Sequence, residues 1–319
     1  MIAWLTVAVA LAVLTLGAEL LVRGASAIAR RAGLSELLIG LTLVGFGTST
    51  PELVTSIEAA MRGAPGIALG NVVGSNIANI LLILGLSAAL APIAVEPGAF
   101  RRDAPALAFA TIACIAAALA GSFGRTIGAA FLLGLAAYLY IAYRTERRAP
   151  EAAETKRHEA EAAALPSAES GIAIAMGLSL SGLALLMVGA KLLVGAAVEI
   201  ATGFGVSEAI IGLTIVAVGT SLPELAASLA AARRGKSALA LGNVVGSNIY
   251  NILGILGATA LTAPFAAPAR ILVVDIWVML AATAALIVFA ISGRRLSRLE
   301  GGILVAGYAA YLVSLGASL

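Results

Sequence analysis

The 319-residue chain has one cysteine, Cys114, and one histidine, His158. Cys114 stands alone in an apolar run and His158 alone in a polar stretch, so neither a disulfide framework nor a Cys/His metal site can be assembled from them. Any bound metal must therefore be held by oxygen. The sequence has no HExxH motif and no serine/histidine pairing, and the chain is read as a non-enzyme with no organic cofactor. Charge is also scarce: Asp, Glu, Lys and Arg make up 12% of residues, against about a quarter in soluble domains. The net charge is +3, but the basic residues are scattered between apolar runs without a stripe or cluster, which excludes nucleic acid as a partner.

Apolar residues dominate instead, at 61% with a mean hydropathy of +1.05. Such a chain belongs in lipid. The first apolar run, 2–22, has no basic segment ahead of it and is followed by Arg23, Arg30 and Arg31. It is read as a membrane helix and not as a secretory signal. Further runs near 36–60, 66–91, 104–121, 126–142, 171–197, 208–232, 238–263, 271–292 and 302–319 are each near the roughly 20 residues that cross a bilayer. The stretch 144–169 is rich in Ala, Glu, Arg and Lys and holds Pro150 and Pro166. The expected organisation is a five-helix unit over 1–142, a polar linker over 143–170 and a second five-helix unit over 171–319. Sixteen Lys and Arg residues fall on one side of this ten-helix layout and four on the other. The asymmetry places the linker in the cytoplasm and both termini outside a plasma (inner) membrane.

The two units are copies. Adding 172 to a residue number maps GLTLVGFGTSTPEL (40–53) onto GLTIVAVGTSLPEL (212–225), and LGNVVGSNIANILLILG (69–85) onto LGNVVGSNIYNILGILG (241–257). Between 35 and 92, 37 of 58 positions are identical without a gap, which is internal duplication. Five is an odd number of crossings, so the second copy must run upside down. The fold expected is an all-α membrane protein of ten transmembrane helices in two inverted five-helix repeats.

Glu52 and Glu224 are repeat mates placed mid-helix in apolar surroundings, where a charge costs at least about 2.5–3.5 kcal/mol. Inverted symmetry would bring both near the midplane, and two neighbouring carboxylates must bind a cation or take up protons. A doubly acidic, oxygen-lined cage suits Ca²⁺ better than Zn²⁺ or copper. Pro51 and Pro223 cannot donate to the carbonyls of Gly47 and Gly219 and should kink their helices. Thr48 and Glu52 share a helix face, as do Thr220 and Glu224. Ser75 with Asn79, and Ser247 with Asn251, repeat that spacing and add neutral oxygen donors. Asn71, Asn76, Asn243 and Asn248 are assigned to tying helix ends. Ser35 and Ser207 read as helix N-caps before Glu36 and Glu208. Glu19, Lys191, Asp103 and Asp275 are left outside the site. From these residues alone, proton-coupled exchange and a cation channel with an acidic selectivity ring both stay open.

With its GTSTPE, GTSLPE and doubled GNVVGSN motifs, the chain resembles the cation/calcium exchanger superfamily, especially prokaryotic sodium/calcium exchangers. The resemblance covers nearly the whole chain. It implies a monomeric antiporter, embedded in membrane lipid, that moves Ca²⁺ and Na⁺. Ca²⁺ would be held by Glu52, Glu224 and the carbonyls of Thr48 and Thr220. Sodium positions map onto Gly45, Ser49 and Ser75 and onto Ala217, Ser221 and Ser247, with Asn79 and Asn251 completing the middle. The first and sixth helices would slide against the rest. Some relatives carry Asp where this chain has Asn251, so the cage here has a formal charge of −2.

Overall fold

A computed structural model describes residues 2–32, 34–148, 171–204 and 217–317. Most of the expected linker, with His158, lies outside the described residues, as do Ser207 and Glu208.

The described chain is almost entirely helical. Ala- and Leu-rich runs favour helix, and in lipid only a helix or a closed barrel satisfies every backbone group internally. Helix α1 spans Ile2–Ala32. Next come α2, Glu36–Thr48, and α3, Thr50–Met61, which meet at a 46° bend. Helix α4 is Pro65–Leu90, α5 is Pro97–Leu119 and α6 is Arg125–Arg148. The second half supplies α7, Ile172–Gly203; α8, Ala217–Thr220; α9, Leu222–Arg233; and α10, Ser237–Thr262. It ends with α11, Ala269–Val273; α12, Asp275–Gly293; and α13, Arg298–Ala317. Among the described residues, seven helices are long and apolar enough to cross a membrane, or eight if the bent α2/α3 pair is one span.

Local signals explain several boundaries. The Ser35 hydroxyl accepts from the Leu38 N–H at 3.1 Å and caps α2 as expected. Gly63 and Gly235, 172 residues apart, hold φ of +72° and +69° in the turns leading to α4 and α10. Only glycine takes that left-handed backbone without steric cost. Lys236 Nζ sits 2.9 Å from Glu36, and Glu19 pairs with both Arg23 and Arg234. These acids are accounted for by surface ion pairs. Helix α1 runs ten residues past its expected end, so Arg23, Arg30 and Arg31 lie on its last turns and not in a loop.

The two halves are joined throughout. Ile93–Ala94 pairs antiparallel with Arg295–Leu296, and Ser122–Phe123 with Phe265–Ala266. Helices α1 and α7 cross in close contact along their length. A Cβ on Gly182 would lie 2.5 Å from the Leu21 backbone nitrogen, and one on Gly17 would lie 2.9 Å from that of Leu186. Small residues permit this approach in membranes. Helices α4 and α10 are the most enclosed, with 72% and 83% of their apolar windows buried against 28% for α6 and α7. They form the centre, and they carry the GNVVGSN motifs.

Candidate functional site

Glu52 and Glu224 were expected mid-helix, and the structure corrects this. The chain breaks at Ser49 and at Ser221, whose φ/ψ of −83°/10° and −88°/8° depart from the helix, and each glutamate occupies the first turn of the next segment. Pro51 and Pro223 fall in the same first turns, where a missing N–H has no intrahelical partner to lose. The positive end of the helix dipole then faces each carboxylate. The chain departs from the helix two residues ahead of each proline, at Ser49 and Ser221, and in the first half the bend is 46°.

Both glutamates are 1% exposed. Each is reached by the serine of the other half. Ser49 Oγ donates to Glu224 Oε1 at 2.8 Å, and Ser221 Oγ to Glu52 Oε1 at 3.2 Å. Ser221 also lies 3.4 Å from Ser75 Oγ. Ser247 Oγ donates to the Gly45 carbonyl at 3.2 Å, again across the halves. Thr48 is fully buried, with its hydroxyl 3.0 Å from its own Val44 carbonyl and 3.4 Å from Asn243 Oδ1. Thr220 ends α8 just before the second break, and Ala217 lies in the same helix three residues ahead of it.

Behind each acid is an asparagine clamp. Asn71 Nδ2 donates to the Glu52 carbonyl at 3.1 Å and to Ser56 Oγ at 2.9 Å. Asn243 Nδ2 repeats this with the Glu224 carbonyl at 3.3 Å and Ser228 Oγ at 2.8 Å. Ser56 and Ser228 escape a sequence reading because serines four residues beyond an acid carry no distinctive signal. Gly242 and Gly246 have a packing role: a Cβ on Gly242 would lie 2.5 Å from the Leu37 carbonyl oxygen, and one on Gly246 would overlap the backbone of Leu41.

Asn79 and Asn251 are 1% exposed. They lie in stretches where the helix widens to π-type turns, Asn79–Leu84 and Tyr250–Leu256. Such widened turns are frequent at functional sites. Sequence periodicity does not reveal them, because one extra residue per turn is decided by packing.

The chemistry lies in the atoms left over. Glu52 Oε2, Glu224 Oε2, Asn79 Oδ1 and Asn251 Oδ1 are buried without a hydrogen-bond partner. Buried polar atoms normally find one, so acceptor oxygens left over on α3, α9, α4 and α10 set these four side chains apart from the other buried polar residues that are hydrogen-bonded. No cluster of three or more His, Cys, Asp or Glu side chains occurs among the described residues; the two acids are supplemented by neutral oxygens.

A family model described as sodium/calcium exchanger protein matches residues 2–144 and 174–316, that is, both halves. The chain belongs to the sodium/calcium exchanger family. Members of this family are membrane transporters and not enzymes. Among its relatives in the family is the presumed antiporter CaxA of Alkalimonas amylolytica, 42% identical over 98% of both chains. The sodium/calcium exchanger MaX1 of Methanosarcina acetivorans is 35% identical over 94% of both. The structure of the sodium-calcium exchanger NCX_Mj, soaked with 2.5 mM Na⁺ and 0.1 mM Ca²⁺, superposes with a TM-score of 0.84 at 33% identity, covering 99% of each chain. The exchanger fold thus spans the whole chain and does not stop at the two glutamate motifs.

Proposed function

We propose that the protein is a secondary antiporter in which Na⁺ entry drives Ca²⁺ extrusion by alternating access at a midplane site centred on Glu52 and Glu224. The orphaned oxygens Glu52 Oε2, Glu224 Oε2, Asn79 Oδ1 and Asn251 Oδ1 carry this reading. Two buried carboxylates repel one another and are costly in lipid, and a divalent ion offsets both penalties while supplying the missing partners. Ca²⁺, which takes six to eight oxygen ligands, is the divalent ion whose preference this lining meets. Ser49, Ser221, Ser75, Ser247, Gly45 and Ala217 flank the acids on both sides and supply smaller, neutral positions for Na⁺, and the backbone oxygens of Thr48 and Thr220 complete the Ca²⁺ shell.

The proposed architecture is ten transmembrane helices in two inverted five-helix repeats, 1–142 and 171–319, joined by the cytoplasmic linker 143–170. The Thr111 hydroxyl lies 3.3 Å from that of Thr283, its mate at +172, and contact between a residue and its own mate supports a twofold relation between the copies. The exchange of Ser49 and Ser221 between the glutamates favours the same relation. The tight α1/α7 crossing forms one unit that slides against the central α4 and α10, in a monomer whose termini are outside the plasma (inner) membrane. NCX_Mj, soaked with Na⁺ together with Ca²⁺ in one structure and with Sr²⁺ in another, supports Na⁺ and an alkaline-earth ion as the cargo.

Proteoliposomes loaded with Na⁺ should take up Ca²⁺ when diluted into Na⁺-free medium, and Glu52→Gln or Glu224→Gln should abolish uptake. Uptake indifferent to the Na⁺ gradient but driven by a pH gradient would replace this reading with proton/calcium exchange. Flux without any counter-transport would point to a channel.

A further inference from the structure

Two asparagines, Asn76 and Asn248, belong to the repeated motifs but not to the twelve site positions. Asn248 is fully buried and bridges the halves: its Nδ2 donates to the Asn76 carbonyl at 3.4 Å, and its Oδ1 accepts from Asn79 Nδ2 at 3.0 Å. The second contact has a directional consequence. A primary amide has a donor end and an acceptor end, and only the oxygen suits a cation. With its nitrogen held by Asn248, Asn79 is left with its buried Oδ1 unpartnered and available.

The repeat predicts a mate for this contact. Asn79 and Asn248 correspond to Asn251 and Asn76, so the matching bond runs from Asn251 Nδ2 to Asn76 Oδ1. It is not formed. Asn251 Nδ2 and Asn76 Oδ1 are both buried and both unpartnered, and Asn251 Oδ1 is unpartnered as well. Asn76 is nevertheless prepared to accept. Its own Nδ2 donates to the Val72 carbonyl at 2.7 Å, which fixes the amide with its oxygen free. A donor and an acceptor are thus both orphaned in the pair whose repeat mate is bonded.

We propose that Asn76 and Asn248 are positioning residues that turn the amides of Asn251 and Asn79 oxygen-first toward the transported cation, and that the Asn76–Asn251 bond closes when the cation binds. The inference rests on the reading of Glu52 and Glu224 as the cation site. Without Asn76, Asn251 has no anchor for its N–H groups and is free to present them to the ion, which repels it. Asn251→Asp replaces the amide with a carboxylate that has no donor end when ionised, so this variant needs no such anchor.

The test is a double-mutant cycle in proteoliposomes, reading the half-saturating Ca²⁺ concentration and the maximal rate separately. Asn76→Ala should raise half-saturating Ca²⁺ about tenfold, within the coupling seen for residues in direct contact, while retaining the maximal rate. In the Asn251→Asp background the same substitution should change it by about twofold or less. Asn248→Ala should keep its full effect in that background, because it acts on Asn79. If Asn76→Ala does not fold, judged by thermal melting of the purified protein, the reciprocal cycle of Asn248→Ala with Asn79→Asp tests the same logic. Effects of Asn76→Ala that are equal in both backgrounds, or confined to the maximal rate, would overturn the inference. Transport surviving in Glu52→Gln and Glu224→Gln would instead overturn the site reading beneath it.

Discussion

Ser49 of the first half hydrogen-bonds Glu224 of the second at 2.8 Å, and its mate Ser221 returns the contact to Glu52. Each acid is therefore held by the hydroxyl that breaks the other half's helix. The surroundings of both carboxylates thus depend on how the two halves pack against one another. On each carboxylate one oxygen is engaged by a serine and the other is buried without a hydrogen-bond partner.

Removing either serine takes a hydrogen bond from a charged group, worth about 1.5–3 kcal/mol. Ser49→Ala and Ser221→Ala are each expected to raise half-saturating Ca²⁺ by about tenfold or more, and the two should be similar in size because their contacts are mates. Exchange measured against Ca²⁺ concentration in proteoliposomes checks this; unchanged affinity in both variants would mean the crossed contacts do not bear on ion binding.

The α1/α7 crossing offers a stability test with an internal control. Gly182→Val forces a side chain against the Leu21 backbone, and overpacking of this kind costs about 1–3 kcal/mol. Gly177→Val, on the same helix with nothing within 4 Å of a Cβ, should be close to neutral. Thermal melting in detergent should separate the two variants clearly.

Asp103 and Asp275 are repeat mates with unequal surroundings. Asp103 is 1% exposed, receives Arg102 Nε at 2.6 Å and Nη2 at 3.0 Å, and accepts from the Tyr138 hydroxyl at 3.0 Å. Asp275 is half-buried and accepts from Tyr311 at 2.9 Å, and Val274 stands where Arg102's mate would be. Arg102→Ala should destabilise by about 3–5 kcal/mol, the cost of breaking a buried pair. Tyr311→Phe should cost about 1 kcal/mol. Chemical or thermal denaturation of the purified variants gives the comparison, and a small loss for Arg102→Ala would show that Asp103 does not depend on it.

Thr111 and Thr283 are buried and bonded to one another. Thr111→Val alone strands a buried hydroxyl and should cost about 1–3 kcal/mol, whereas Thr111→Val with Thr283→Val removes both partners and should cost less than either single change. A double variant less stable than both singles would argue against the pairing.

Much is legible in the order of residues alone. Composition demanded lipid, because 12% charge cannot clothe a soluble surface. The 172-residue offset identified Glu52 and Glu224 as mates, and the prolines announced broken helices. These follow from local chemistry and from comparing the chain with itself. Registry between helices was not legible. Nothing in the order of residues says that Ser49 belongs to Glu224 and not to the nearby Glu52, that the break falls at Ser49 and puts the acid in a first turn, or that Asn79 is bonded while Asn251 is not. Those facts depend on how segments about 170 residues apart pack against each other, where a shift of one turn re-pairs every donor and acceptor. Residue order settles which oxygens the protein owns; which of them are spent on one another and which are left unpartnered is settled by packing, because that division is set by contacts between helices and not along them.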